Sequence, residues 1–148
     1  MHITEVRVNL VSNKDERLKA FCSVTFDNEF VIRDVKVLES NSGCFVAMPS
    51  RRIADHCDKC GGKNHLRAGY CSNCGAQLAE DRGKKDSAGR TKLYADVAHP
   101  VNIACRMRIQ ERVTSAFREE LDRSKKPGYK PVPMDTPDDD EEVPQIIR

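Results

Sequence analysis

Two copies of one short pattern, Cys57-Asp58-Lys59-Cys60-Gly61 and Cys71-Ser72-Asn73-Cys74-Gly75, lie close together near the middle of the chain and constrain everything around them. Residues 53–93, which hold both copies, are rich in Gly, Lys, Asn and Cys and contain almost no apolar run, so this stretch cannot build a hydrophobic core. Something else must organise it. Two thiolates two residues apart reach one ion when the backbone turns tightly, and a Gly directly after the second Cys accepts the positive φ that such a turn needs. Two knuckles offer four thiolates, Cys57, Cys60, Cys71 and Cys74, a closed tetrahedral set that suits structural Zn²⁺ at about 2.3 Å per Zn–S bond and leaves no open position for substrate. One zinc ion per chain is the expectation, with its binding energy supplying the folding of the segment. His56 and His65 stand close enough to compete as ligands, yet four sulfurs already complete the sphere. A redox pair or free thiols is the other reading of these cysteines.

The chain has seven cysteines, an odd number, and no disulfide framework is suggested by their spacing. Cys22, Cys44 and Cys105 fall inside apolar patterns and read as small buried hydrophobes. With 148 residues, 39% of them hydrophobic, one modest core is available. Five Phe, three Tyr and no Trp leave little for an aromatic-lined pocket, so a small-substrate enzyme is not expected. No apolar run approaches the roughly 18 to 20 residues that span a bilayer, and Met1-His2-Ile3-Thr4-Glu5 carries no signal-peptide pattern, so the expected location is cytoplasmic.

Residues 3–48 read as four strands, Ile3 to Val11, Leu18 to Phe26, Phe30 to Leu38 and Cys44 to Met48, with the turn-forming breakers Ser12-Asn13-Lys14-Asp15, Asp27-Asn28 and Ser40-Asn41-Ser42-Gly43 between them. Consecutive strands with short links predict an antiparallel meander. Leu93 to Ala98 is a further short strand. Asn102 then suits a helix N-cap, and Cys105, Ile109, Val113, Ala116, Phe117 and Leu121 recur at spacings of three and four, one stripe able to cover a sheet face. Pro127-Gly128 should stop the helix near Arg123 to Lys126. Residues 127–148 hold five of the seven prolines and the run Asp138-Asp139-Asp140-Glu141-Glu142, a composition that predicts a disordered acidic tail.

The knuckles and the hairpin between them, matched through Tyr70 to Leu78, resemble the small bacterial zinc-ribbon family. The remaining blocks resemble the stage V sporulation protein G family, the bacterial septation regulators. They are Ile3-Thr4-Glu5-Val6-Arg7, Leu18-Lys19-Ala20, Val24 to Ile32 followed by Asp34-Val35-Lys36-Val37, then Gly43, Phe45-Val46-Ala47-Met48-Pro49-Ser50-Arg51-Arg52 and Asp96-Val97-Ala98-His99-Pro100-Val101-Asn102. That resemblance implies an α+β fold, a small antiparallel β-sheet with one long C-terminal α-helix, that forms a homodimer and binds DNA and RNA. Such a domain would comprise residues 1–52 and 94–126. Residues 53–93 would be a zinc ribbon inserted in a strand connection that is a short loop in ordinary members, and residues 127–148 the tail.

Charge is unevenly placed, basic over residues 51–126 and acidic after 127. Phosphate backbones are met by accessible Lys and Arg. The resemblance places the family's basic pair at Arg51 and Arg52. On the helix Arg108 and Arg112 share one flank, Arg118 lies on the far side, and Arg123, Lys125 and Lys126 close the C-terminal end. Helical Arg also pairs with Glu at a spacing of four, and Glu111 and Glu119 are near, so a merely solvated face competes with a contact surface. In the ribbon Lys59, Lys63 and Arg67 sit beside the knuckles. His99, next to Pro100 with no nucleophile pattern nearby, reads as a structural corner. The expected function is a homodimeric nucleic-acid-binding regulator whose ribbon extends the surface; the competing reading is an adaptor whose ribbon binds a protein partner.

Overall fold

The computed structural model describes residues 1–12 and 16–133. It begins with four strands, β1 (Ile3–Leu10), β2 (Leu18–Phe26), β3 (Phe30–Ser40) and β4 (Gly43–Ala47), joined in chain order into one antiparallel sheet. The links dictate this meander. Asp27 and Asn28 take φ of 51° and 56°, the positive values that a tight primed turn requires at both central residues. The Glu29 N–H closes that turn on the Phe26 carbonyl at 2.9 Å. Asp27 also fastens the turn to β1, its carboxylate accepting from the His2 N–H at 2.8 Å. Between β3 and β4 only Asn41 and Ser42 intervene, and Gly43 supplies a φ of 115°.

One irregularity aims β3. The β2–β3 register shifts between Cys22 and Val24, and Asp34 sits opposite that shift with φ of 60°. The extra residue of this bulge keeps Ile32, Val35 and Val37 on one side of the sheet although they do not alternate in sequence. Val35 and Val37 consequently join Val8, Ala20, Cys22, Val24 and Phe26 in the buried core. Burial pushes the Cys22 thiol up to about 12, which makes it an inert packing group at neutral pH. Cys105 is buried with it, while Cys44 is half-buried and packs against the same cluster.

Helix α1 (Ile103–Ser124) covers this face. Asn102 caps it, its side chain accepting from the Cys105 N–H at 2.8 Å. Cys105, Ile109, Val113 and Phe117 face the sheet as expected, but Leu121 does not: it is exposed, and Glu120 is buried in its place. Four-residue steps advance the contact line by about 40° per step, so after three of them a three-residue step returns to the sheet. Glu120 tolerates burial because Arg123 Nη2 and Nε donate to its two oxygens at 2.7 and 3.0 Å and the Tyr129 hydroxyl donates at 2.5 Å. The first residues of the expected disordered tail are thus held: Tyr129 returns to the helix, and Arg7 Nη1 donates to the Pro133 carbonyl at 3.5 Å. The acidic run at 138–142 lies outside the described residues. Among the described residues no helix is long and apolar enough to cross a membrane.

The chain divides into two compact units, one of Met1–Pro49 with the chain from Ala98 onward, the other Ser50–Val97. In the second unit the strands are three residues each: β5 (Ser50–Arg52), β6 (Ala54–His56), β7 (Lys63–His65) and β8 (Tyr94–Asp96). β5 pairs with β8 and β6 with β7, both antiparallel. The expected boundaries at 52/53 and 93/94 fall inside this unit, because the β5–β8 ladder holds Arg51, Arg52 and Tyr94 with the insertion. The strand expected over Leu93 to Ala98 is limited to Tyr94–Asp96.

Candidate metal centre and basic surfaces

Each knuckle is built by the same local bonds. The Gly61 N–H reaches the Cys57 carbonyl at 2.8 Å and the Gly75 N–H the Cys71 carbonyl at 2.9 Å. Gly61 and Gly75 take φ of 73° and 77°, the left-handed turn that the Gly after each Cys-x-x-Cys was expected to make. These turns bring Cys57, Cys60, Cys71 and Cys74 together with all four Sγ atoms within 4.8 Å of one another. Cys57 and Cys74 Sγ are 3.7 Å apart, Cys60 and Cys71 Sγ 3.5 Å. A tetrahedron with Zn–S bonds of about 2.3 Å has edges of about 3.8 Å, close to these two separations. His56 is not part of the cluster, its Nδ1 lying 2.9 Å from the Gly61 carbonyl, and His65 is exposed on β7.

Two asparagines that spacing could not reveal tie the knuckles to each other. Asn64, buried on β7, accepts from the Ser72 N–H at 2.9 Å and donates to the Gly62 carbonyl at 3.2 Å. Asn73 donates its amide N–H to Cys71 Sγ and its side-chain Nδ2 to Cys60 Sγ, each at 3.4 Å. Such N–H···S bonds favour thiolate. Cys71 is lowered to about 6, first by the Asn64 side chain and then by the Cys74 and Asn73 N–H groups. Cys60 is lowered as well, chiefly by Asn73 and the Gly62 N–H. At Cys74 the Ala76 N–H pulls downward, but desolvation and the neighbouring thiols outweigh it and raise the group to about 11. The set is a donor cluster for a thiophilic cation.

Arg82 organises the loops behind it. Its Nη2 donates to the carbonyls of His65, Leu66 and Ala68 at 3.1, 3.3 and 3.1 Å, and its Nε lies 3.2 Å from an Asp55 carboxylate oxygen. A guanidinium here does work that an apolar core would do in a larger unit.

The sequence profile of SpoVG matches residues 1–119. The chain belongs to the SpoVG family. It is 34% identical over 132 residues to a septation protein SpoVG of Finegoldia magna, covering 89% of this chain and 88% of that one. It is 33% identical over 117 residues to one from Geobacillus thermodenitrificans, with 79% and 83% covered, and 31% over 122 residues to one from Clostridium botulinum strain Alaska E43, with 82% and 93% covered.

In this SpoVG-family chain the basic residues singled out from sequence separate into the two units. Arg51, Arg52, Lys59, Lys63 and Arg67 belong to Ser50–Val97 and all are exposed; Arg108, Arg112, Arg118, Arg123, Lys125 and Lys126 lie on or just after α1. Neither Glu111 nor Glu119 pairs with Arg108 or Arg112 among the described residues. Those two arginines flank a small cavity of about 200 Å³ floored by Ile3, Phe26 and Ile109. Arg123 differs: it is held by Glu120 and lies 4.9 Å from the centre of the Tyr129 ring. Arg52 and Arg67, which the sequence placed in different modules, line one cavity.

Proposed function

We propose that this SpoVG-family chain is a cytoplasmic nucleic-acid-binding regulator, a binding protein and not a catalyst, that acts as a homodimer and carries one structural Zn²⁺ on Cys57, Cys60, Cys71 and Cys74. The observation that carries the nucleic-acid reading is the set of uncompensated cations. Among the described residues Arg51, Arg52, Arg67, Arg108, Arg112 and Arg118 have no carboxylate partner, whereas Arg82, Arg90 and Arg123 do. Cations kept free of internal pairing are available to phosphates, and releasing condensed counterions then drives binding. The four converging sulfurs, with separations of 3.7 and 3.5 Å across the two knuckles, support zinc in a role that folds the Ser50–Val97 unit.

The homodimer is supported by apolar surface at the start of α1. Val101, Ile103 and Met107 are 89%, 79% and 59% exposed, and the last two share one helix flank. A second copy is the simplest cover for such a patch.

The test is a binding titration of the zinc-loaded chain with DNA and RNA at increasing salt. Affinity should fall steeply, and each phosphate-contacting Arg replaced should reduce the log–log slope by about one. A flat titration would sink this reading and favour a protein-binding adaptor.

A further inference from the structure

We propose that Tyr94 is a base-stacking residue and that the groove between Arg52 and Arg67 takes a single strand of nucleic acid, with one unpaired base on the Tyr94 ring and the flanking phosphates on the two guanidinium groups. The proposal rests on the nucleic-acid reading above and narrows it to one strand and one place.

Three observations carry it. First, the β5–β8 ladder sets Arg52 directly opposite Tyr94, so the two side chains rise side by side from neighbouring strands. Tyr94 is 54% exposed, an aromatic ring open to solvent in a chain with few of them. Second, Arg67 and His65 reach the same cavity of about 240 Å³, whose floor is Ile53, Leu66 and Leu93. No carboxylate lines it, and neither arginine has an ion-pair partner among the described residues. Third, the floor is fixed before any ligand arrives. The Ile53 N–H donates to the Leu93 carbonyl at 2.8 Å and the Leu66 N–H to the Ile53 carbonyl at 3.3 Å. Arg82 holds the His65 and Leu66 carbonyls from behind, which fixes the turn that presents Arg67.

This chemistry selects a strand over a duplex. A cavity of this size admits one planar ring beside Tyr94, whereas in a duplex the base faces are hidden in the stack and only phosphates could approach. An aromatic platform flanked by cations is the general solution for single strands, and it tolerates any base because each has a π face. Past Tyr94 the surface broadens into a groove that also carries Glu80, Asp81 and Asp86; the last two are paired with Lys85 and Arg90, and the Glu80 carboxylate limits the strand's path to the Arg52–Arg67 side.

The test uses the full zinc-loaded chain with dye-labelled oligothymidine, oligouridine and a duplex of equal length. Single strands should bind, and the chain's tyrosine fluorescence, undisturbed by any Trp, should be quenched as they do. Tyr94→Leu, which keeps an apolar side chain and removes the ring, should weaken strand binding by roughly five- to a hundredfold and abolish most of the quenching. Tyr94→Phe, which keeps a stacking ring but removes the emitting phenol, should retain the affinity and lose the quenching, and zinc content should be unchanged in each variant. The ratio between the thymidine and uridine strands separates a DNA from an RNA ligand. Salt-dependent binding without tyrosine quenching in the unaltered chain, or unchanged affinity in Tyr94→Leu, would overturn the groove and leave the wider reading standing. Failure of every oligonucleotide to bind would remove both. Polyglutamate that bound as tightly and with the same dependence on Tyr94 would reassign the groove to an acidic protein and overturn the proposal.

Discussion

The side-chain amide of Gln110 behaves like a piece of a fifth strand toward Val46: its Oε1 accepts from the Val46 N–H at 2.9 Å, while its Nε2 donates to the Cys44 carbonyl at 3.4 Å. β4 is an outer strand of the meander, and a bare outer strand is a template for unwanted pairing. Helix α1 therefore does two things at once, covering a face with Ile109 and Val113 and closing an edge with Gln110.

Gln110→Ala should accordingly lower stability by about 1 to 2 kcal/mol, because it leaves a half-buried N–H without its acceptor. Urea melts should show the midpoint shift. Gln110→Glu, which can accept from Val46 but cannot donate to Cys44, should recover only part of it.

Arg82→Ala should be among the more damaging substitutions in Ser50–Val97, since three carbonyls lose one shared donor and the Asp55 carboxylate loses its ion-pair partner. Removing one partner from such a partly buried arrangement costs about 3 kcal/mol. Arg82→Lys should not restore it, because a compact ammonium cannot reproduce the planar fork. Hydrogen exchange would register the loss at residues 65–68, with the meander unaffected.

Metal analysis should return about one zinc per chain, and Cys71→Ser should abolish it. Stripping the metal with a chelator should expose the amides of Ser50–Val97 to exchange while β1 to β4 and α1 stay protected, because the meander has its own apolar core. Asn64→Ala leaves all four sulfurs in place, yet it should weaken metal binding by roughly ten- to a hundredfold through loss of the outer hydrogen bonds.

Stability should also depend on pH through Glu120. Arg123, with help from Tyr129, holds its carboxyl below the usual range. A depressed folded value means that the stabilisation is fully present above the ordinary carboxylate range and disappears as pH falls through the folded value. Thermal melts between neutral and strongly acidic pH should therefore be less pH-dependent in Glu120→Gln, which should be less stable than the parent at pH 7 and nearly equal to it in acid.

Arg112 and Arg123 should behave oppositely. Arg112→Ala should leave the melting temperature nearly unchanged and reduce the salt slope of nucleic-acid binding by about one. Arg123→Ala, which strands the buried Glu120 carboxylate, should lower the melting temperature and leave the salt slope unaltered.

Features set by near neighbours in sequence could be read before folding was considered. The Asp27-Asn28 turn, the Asn102 cap and the Gly after each Cys-x-x-Cys each act over a few residues, and the observed strand and helix bounds follow them closely. Long-range features left no such trace. Residues 50–52 and 94–96 pair across the whole insertion, and three-residue strands carry too little periodicity to announce themselves. The unit therefore begins at Ser50 and ends at Val97, and nothing in the local sequence marks Tyr94 as the neighbour of Arg52. Leu121 was misplaced for another reason: hydrophobicity alone assigned it inward, while helix geometry and the salt bridge to Arg123 favoured Glu120. The roles of Asn64 and Arg82 depend on which carbonyls and amides folding brings to them, and residue type does not encode that.

The Ser50–Asp96 pairing gives the insertion a clasp at its own mouth. Because entry and exit strands are zipped to each other, the entropy of closing this long excursion is met within the excursion itself, and its fold does not draw on the meander for closure.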